Sequence, residues 1–375
     1  MNKKLRVAVI GTGNIASIAI RSIKGRKDME LVGVWGHKDT APQHIGMDSG
    51  LLDSDEPNGV IITGDAEDIF KLKPDCAVMV INIRDPRAAA EVNGKWYADF
   101  LSRGINVVST SLVDLMWPEK ASAKQLCDQL DELGKANNAS IFVNGQEPGY
   151  AENQAMLLAS CSNTIKTLTI SEMYNYGSST AREELSPSYG FDELPSFNAM
   201  LQIPEVQKMI WGITIHHIAN AMGYELEGIT TSFEKQTCDH DIECGWGTIE
   251  AGKVVAVRVR TCGIIEDREA IVIEHVNRMD QNVAKDWPWT DRVGQIRVVI
   301  EGDPNLQVDM NVGVPEKPEE LSYDGYVLTA MRVVNAIPLV CAAKPGILTI
   351  HDLPLYLPSS AFRSDAVYIV HKVCK

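Results

Sequence analysis

The chain has 375 residues, of which 45% are hydrophobic and 23% are charged. This balance excludes a mainly disordered, collagenous or coiled-coil chain. The 35 basic and 50 acidic residues leave a formal charge of −15, which disfavours binding to a nucleic-acid backbone. No apolar run approaches the roughly 20 residues of a membrane span, so we expect neither a nucleic acid nor a membrane as a partner.

Short apolar runs alternate with helical patterns in the first part of the chain. Strands are predicted at residues 5–10, 31–35, 60–63, 77–81, 107–109 and 140–143, and helices at residues 15–23, 88–103 and 119–135. Strands that alternate with helices form a parallel sheet covered on both faces. The fold class is therefore α/β, with a Rossmann-type dinucleotide-binding domain at residues 1–148.

The pattern changes after residue 148, where consecutive strands follow one another across short turns. Helices are predicted at residues 150–160 and 206–222, a polar loop at 177–197, and strands at 164–174, 248–250, 254–262, 270–276, 295–301 and 306–311. This order indicates an α+β domain with a mainly antiparallel sheet at residues 149–324, for substrate binding and dimerisation. A helix at 327–343 opens the last segment, residues 325–375, whose return to the first domain the sequence leaves open.

A glycine-rich turn joins the first strand to the first helix in the pattern Gly11-x-Gly13-x-x-Ala16. Gly11 permits the tight turn, Gly13 the close approach of a pyrophosphate, and Ala16 the packing of helix on sheet. A helix amino end also favours phosphate; the alternative is a glycine turn without a ligand. The pattern predicts dinucleotide binding by Gly11, Thr12, Gly13, Asn14 and Ile15.

The end of the second strand decides between NAD and NADP. An acidic side chain there would bind the ribose hydroxyl of NAD, but this strand leads into His37 and Lys38, with Asp39 placed late. These two basic side chains favour NADP and leave NAD open. Further cofactor contacts are expected at the ends of the fourth and fifth strands, from Asn82, Ser109 and Thr110.

Several segments together resemble a known family. They are residues 104–110, 221–226, 274–279 with 286–288, and 325–338. The first domain is similar to that of dihydrodipicolinate reductase. The whole chain, over roughly residues 5–355, resembles 2,4-diaminopentanoate dehydrogenase and the natural NAD(P)-dependent amine dehydrogenases. The resemblance implies a homodimer that catalyses reductive amination and oxidative deamination of a small amine.

Two histidines mark a departure from true dihydrodipicolinate reductases. That family carries a His-His-x-x-Lys run before a small substrate loop, whereas here His216 and His217 precede Ile-Ala-Asn. The lysine is missing, which argues against the lysine-biosynthesis reaction. The pair lies in an apolar helical pattern and is interpreted as structural.

The resemblance also implies a carboxylate that contacts the substrate amine. Relatives carry Glu in the loop after the fifth strand, where this chain offers only Asp114. Relatives tend to have Asn before the later Pro-Gly step, where this chain has Glu147. Either carboxylate is a candidate acid/base, and the alternatives are a solvated carboxylate for Asp114 and a helix cap for Glu147.

Substrate contacts are expected from the second domain. Tyr174, Tyr176 and Arg182 fall on the strand and loop that relatives use near the pocket. An arginine pairs well with a carboxylate, although Arg182 also has acidic neighbours to pair with.

The preferred function is thus an NAD(P)-dependent oxidoreductase acting on the C–N bond of a small amine or amino acid. Two alternatives stay open: an NAD(P)H-dependent reductase of a cyclic imine or carbonyl, and a non-catalytic NADP-binding regulator. The scattered cysteines form no C-x-x-C pair, and no familiar zinc pattern occurs, so we expect reduced thiols, no metal and a cytoplasmic location.

Overall fold

Two units make up the chain in the computed structural model. One consists of Met1–Glu147 with Tyr326–Lys375, and the other of Pro148–Gly325. The structure describes residues 3–52, 56–81, 83, 86–313, 317–318, 321–359 and 361–362. Within these ranges, no helix combines the length and the apolar character needed to cross a membrane.

A seven-stranded parallel sheet forms the first unit. Numbered along the chain, its strands are β1 (Leu5–Ile10), β2 (Met29–Trp35), β3 (Ile62–Thr63), β4 (Cys76–Met79), β5 (Asn106–Ser109), β6 (Ser140–Val143) and, near the end of the chain, β15 (Gly346–Leu348). Their order in the sheet is β15-β6-β5-β4-β1-β2-β3. The central strands are buried, as expected for a parallel sheet covered on both faces. The predicted α/β class is confirmed.

Helices cover both faces of this sheet. They are α1 (Asn14–Lys24), α2 (Ala66–Lys71), α3 (Pro86–Leu101), α4 (Lys124–Asn137), α9 (Leu321–Val334) and α10 (Ile337–Val340). Side chains of α1, α9 and α10 share one apolar core, and those of α3 and α4 share the other. The single helix predicted at residues 327–343 is wrong, because Pro338 lacks an N–H and the chain breaks between α9 and α10.

A six-stranded, mostly antiparallel sheet forms the second unit. Its strands are β7 (Thr164–Asn175), β8 (Gly228–Thr237), β11 (Val254–Ile265), β12 (Arg268–Arg278), β13 (Gly294–Asp303) and β14 (Leu306–Val312), while β9 (Ile242–Cys244) and β10 (Gly247–Ile249) pair separately. The order is β14-β13-β7-β12-β11-β8, and only the β7–β12 pair is parallel. This confirms the predicted mainly antiparallel sheet.

The helices of the second unit are α5 (Ala151–Ala159), α6 (Arg182–Tyr189), α7 (Pro204–Gln207) and α8 (Ile213–Ala221), with a helical turn at Lys208–Gly212 before α8. Side chains of α5 and α8 pack on one face of the sheet. One helix and two strands of this unit were not predicted from the sequence: α6, β8 and the short β9. Helix α6 lies in the predicted loop although it contains Pro187, and β8 was not predicted because its Thr, Ser, Glu and Lys side chains give an edge strand no apolar signature.

A buried arginine links the segment before β2 to the residue that follows α9. Arg26 donates two hydrogen bonds of 2.9 Å to the Asp28 carboxylate and one of 2.8 Å to Asn335 Oδ1. The Arg26 hydrogen bond lowers the pKa of Asp28 from 3.8 to about 2. The pair therefore stabilises the folded state above the ordinary carboxyl pKa, and this contribution is lost as the pH falls towards 2.

We expect Asp28→Asn to lower the free energy of unfolding by about 1–2 kcal/mol at neutral pH, since the carboxylate is partly exposed and screened. The difference from wild type should shrink as the pH falls below about 4. Urea unfolding across this pH range measures it, with the exposed Asp39→Asn as control. A difference that stays constant with pH would contradict the role of the ion pair.

Candidate active site

The glycine turn after β1 has the geometry that a dinucleotide phosphate needs. Gly11 has φ +132°, and a Cβ there would lie 3.0 Å from the Val80 carbonyl oxygen, so no other residue fits. Gly13 is exposed at the N-cap of α1, no side chain caps the helix there, and a Cβ on it would meet nothing within 4 Å. The open space around Gly13 and the uncapped N–H groups of the first turn of α1 therefore lie together at the amino end of the helix. Thr12, Asn14 and Ile15 are next to them in sequence.

The predicted NADP-selecting side chains lie at the carboxyl end of β2. His37 and Lys38 are both exposed. The Nδ1 atom of His37 accepts hydrogen bonds from the backbone of Asp39 and Thr40, at 3.2 and 3.3 Å. This leaves Nε2 as the imidazole's donor towards solvent. The aliphatic part of the Lys38 side chain lies against Gly64.

Ser109 and Thr110 end β5, but their side chains are placed differently. Ser109 is fully buried, and its hydroxyl is 2.7 Å from Tyr97 Oη and 2.9 Å from the Met79 carbonyl oxygen. Thr110 is half-buried. Tyr97, whose pKa is raised by burial, also donates to the Ser111 carbonyl oxygen at 3.0 Å. The Ser109 hydroxyl therefore anchors the loop after β5; the predicted Asn82 lies outside the described residues.

Asp114 lies in the loop after β5 and is buried. Its Oδ1 atom accepts hydrogen bonds from Ser122 Oγ at 2.9 Å and from the Ala123 N–H at 3.1 Å. Helix α4 starts at the next residue. The Asp114 carboxylate therefore joins this loop to the amino end of α4. These two hydrogen bonds favour a positioning role for Asp114 over proton transfer.

Glu147 follows β6 in a helical turn, Gln146–Tyr150, and is half-buried. In the first turn of α5, Glu152 is buried, and its Oε2 atom accepts a 2.6 Å hydrogen bond from the Gly149 N–H. No side chain caps α5 at its N-cap residue, Tyr150. Because carboxyl ends of parallel strands share one edge, Glu147 lies at the same edge as the glycine turn.

Contacts that the sequence did not reveal hold the end of β6. Asn144 is buried, its N–H donates to the Ser109 carbonyl oxygen, and its Oδ1 accepts a 2.9 Å hydrogen bond from Arg332. The Arg332 guanidinium also lies 4.4 Å from the centre of the Tyr356 ring. Asn144 and Arg332 are separated by 188 positions in sequence, so no local pattern could pair them.

The three predicted substrate residues of the second unit have different environments. Tyr174 is buried and its ring makes an edge contact with Tyr176, at 5.9 Å between centres. Burial raises the pKa of Tyr176. Arg182 is half-exposed and pairs at 2.8 Å with Asp192, which Lys253 also contacts at 2.8 Å. The structure thus gives Arg182 an ion-pairing role on the surface.

A buried acid–imidazole pair in the second unit was missed by the sequence analysis. Glu172 on β7 and His275 on β12 are neighbours across the sheet, with Oε1 and Nδ1 3.2 Å apart. The Trp211 ring packs on the imidazole, with 4.6 Å between ring centres. No local sequence pattern could join the two residues, because Glu172 and His275 are 103 positions apart.

Comparison with known proteins shows which family this chain matches. Residues 163–371 match the family described as the 2,4-diaminopentanoate dehydrogenase C-terminal domain. The chain belongs to this family. It is 28% identical over 358 residues to an amine dehydrogenase of Streptomyces virginiae, covering 94% of this chain and 96% of that protein. It is 24% identical over 366 residues to the 2,4-diaminopentanoate dehydrogenase of Acetoanaerobium sticklandii, covering 94% of each.

Solved structures share the fold of this family member. An amine dehydrogenase from Mycobacterium smegmatis has a TM-score of 0.71 at 22% identity, covering 94% of this chain and 97% of that one. A probable dehydrogenase from Thermotoga maritima has a TM-score of 0.53 at 13% identity, covering 93% and 92%. The family resemblance predicted from the sequence is confirmed.

The hydrogen bonds of Asp114 lead to a direct test of its role. Asp114→Ala should lower the free energy of unfolding by about 1 kcal/mol, because two donors lose their acceptor. Asp114→Asn keeps an Oδ1 acceptor and should leave both stability and turnover close to wild type. Urea unfolding and steady-state turnover check this. Loss of turnover in a fully stable Asp114→Asn protein would make Asp114 a catalytic carboxylate instead.

Proposed function

We propose that the chain is an amine dehydrogenase that interconverts a small amine or amino acid with the corresponding carbonyl compound. Membership of the 2,4-diaminopentanoate dehydrogenase family makes it an NAD(P)-dependent oxidoreductase of amines. The observation that carries the more specific proposal is the half-buried Glu147 carboxylate at the sheet edge that also holds the glycine turn. A carboxylate there meets the requirement for an acid/base beside the cofactor.

The glycine turn is the proposed dinucleotide site. The open space at Gly13 and the uncapped amino end of α1 fit a pyrophosphate, and Thr12, Asn14, Ile15 and Thr110 border the same sheet edge. When bound, the oxidised nicotinamide accepts a hydride from the carbon that bears the amine. The overall balance is then ammonium substrate, NAD(P)⁺ and water giving carbonyl product, NH₄⁺, NAD(P)H and H⁺.

Glu147 is the proposed acid/base of this reaction. Its carboxylate takes a proton from the substrate ammonium, since only the neutral amine can release a hydride. Once that proton has been released to solvent, the ionised Glu147 carboxylate stabilises the positive charge of the substrate iminium and takes a proton from the attacking water. Asp114 contributes by positioning the loop after β5, through its bonds to Ser122 and Ala123.

We propose a preference for NADP over NAD, which rests on the exposed His37 and Lys38 at the end of β2. A homodimer and a cytoplasmic location are also proposed. The cysteines of the described residues are free thiols, which supports a reducing compartment.

Replacing Glu147 tests the function. We expect purified wild-type protein to reduce NADP⁺ with at least one small amine, and Glu147→Gln to lose turnover by about 100-fold or more. Cofactor affinity, measured by fluorescence titration, should be unchanged. Asp114→Asn is the matched control at the same sheet edge. Cofactor binding without turnover of any amine would favour reduction of a cyclic imine or carbonyl first, and a regulatory role second.

Lys38→Ala tests the cofactor preference. Loss of a charged hydrogen bond to the 2′-phosphate should raise the Kd for NADP roughly tenfold and leave the Kd for NAD almost unchanged. Isothermal titration with both cofactors measures the two constants. Equal changes for NADP and NAD would contradict recognition of the 2′-phosphate by Lys38.

A further inference from the structure

Two cysteine side chains meet at the start of β4, inside the first unit. Cys76 is the first residue of this strand and is completely buried, while Cys341 follows α10 and is half-buried. The Cys341 thiol donates a 3.8 Å hydrogen bond to the carbonyl oxygen of Asp75, whose peptide bond leads directly into Cys76. Both side chains pack in the same apolar core.

The two thiols also contact each other. Burial raises the pKa of the Cys76 thiol well above its ordinary value, and a hydrogen bond with the Cys341 thiol raises this pKa further. Both cysteines are free thiols. A disulfide forms only between cysteines that the fold already holds close together, and Cys76 and Cys341 meet this requirement.

Other buried cysteines of the chain have different neighbours. The pKa values of Cys127 and Cys262 are raised mainly by burial, and the side chains that also influence them are charged or carry a hydroxyl. The contact between Cys76 and Cys341 is therefore not a general consequence of burying a cysteine in this protein.

The two thiols differ in their access to a small oxidant. Cys341 is partly open to solvent, whereas Cys76 has no exposed surface. In cysteine pairs that respond to peroxide, an accessible thiol is oxidised to a sulfenic acid and a neighbouring thiol then resolves it. The difference in exposure assigns the first reaction to Cys341 and the second to Cys76.

We propose that Cys76 and Cys341 are a redox pair that hydrogen peroxide converts into a disulfide. Peroxide transfers one oxygen atom to the Cys341 sulfur, which gives a sulfenic acid and releases water. The Cys76 sulfur then attacks the Cys341 sulfur, the S–O bond breaks, and the departing hydroxide takes the Cys76 proton and leaves as water. Two thiols and one peroxide molecule thus give one disulfide and two water molecules.

The disulfide fastens the last segment of the chain to a central strand of the first sheet. Soon after Cys341, this segment enters the sheet through β15, which pairs with β6 over only three residues. Cys341 and Asp75 are 266 positions apart, so the new bond closes a very long loop and restricts the unfolded chain.

The pair lies at the amino end of β4, away from the proposed cofactor edge. Cys76 opens the strand, whereas the glycine turn contacts Val80, just beyond the strand's other end. The disulfide therefore stabilises the first unit against unfolding and leaves the glycine turn unchanged.

Peroxide treatment of the purified, fully reduced chain tests the pair. We expect peptide mapping without reductant to show one cross-linked peptide pair that contains Cys76 and Cys341, and dithiothreitol to reverse the link. The urea midpoint should rise by roughly 1 M, while the Kd for NADP should change by less than about twofold. Cys161, which is exposed, serves as an internal control and should gain oxygen instead.

Three variants separate the two steps. Cys341→Ser should abolish the cross-link and leave Cys76 reduced, because peroxide does not reach the buried thiol. Cys76→Ala should leave the Cys341 sulfenic acid without a resolving thiol, so that Cys341 proceeds to sulfinic acid. Cys127→Ala is the matched control: a buried thiol of the other core, whose loss should leave the cross-link intact.

Two results in wild type would overturn the redox pair. One is sulfinic or sulfonic acid on Cys341 beside a free Cys76 thiol, and the other is a link from either cysteine to a different cysteine or to a second chain. A cross-link without a rise in the urea midpoint would contradict its stabilising role. Because the peptide map of wild type needs no turnover, it decides the matter even when a variant does not fold.

Discussion

The shared carboxyl edge of a parallel sheet is the constraint from which the proposed chemistry follows. Because every strand of the first sheet runs the same way, the turns after β1, β2, β5 and β6 all open at one edge. The contact of Gly11 with the Val80 carbonyl oxygen, where a Cβ would lie 3.0 Å away, fixes the turn that leads into α1. This single arrangement brings three groups to the same edge of the sheet: the amino end of α1, the basic side chains after β2 and the Glu147 carboxylate.

Local patterns were sufficient for six of the seven strands of the first sheet and for its glycine turn, but they did not predict the short edge strand β15. Strands β1 and β6 begin and end where the apolar runs predicted, at Leu5–Ile10 and Ser140–Val143. The turn was recognisable because its glycines are required by backbone geometry, which acts over a few residues. Site residues at strand ends could likewise be proposed from strand order alone.

Contacts between distant segments could not be predicted in this way. Glu172 and His275 are 103 positions apart and meet only because β7 and β12 pair in parallel register. Asp114 was predicted as a candidate acid/base from its place after the fifth strand, but its hydrogen bonds to Ser122 and Ala123, just before α4, could not be foreseen. The edge strand β8 escaped prediction because half of it faces solvent and carries polar side chains. Each failure concerns tertiary context rather than local propensity.

Hydride transfer from an amine-bearing carbon is the central claim, and an isotope label tests it most directly. Purified protein would be incubated with NADP⁺ and an amine deuterated at that carbon, and the reduced cofactor analysed by mass spectrometry. The account predicts one deuterium on the reduced nicotinamide for each carbonyl product formed. Reduced cofactor without deuterium, or deuterated amine left intact beside bound cofactor, would contradict it.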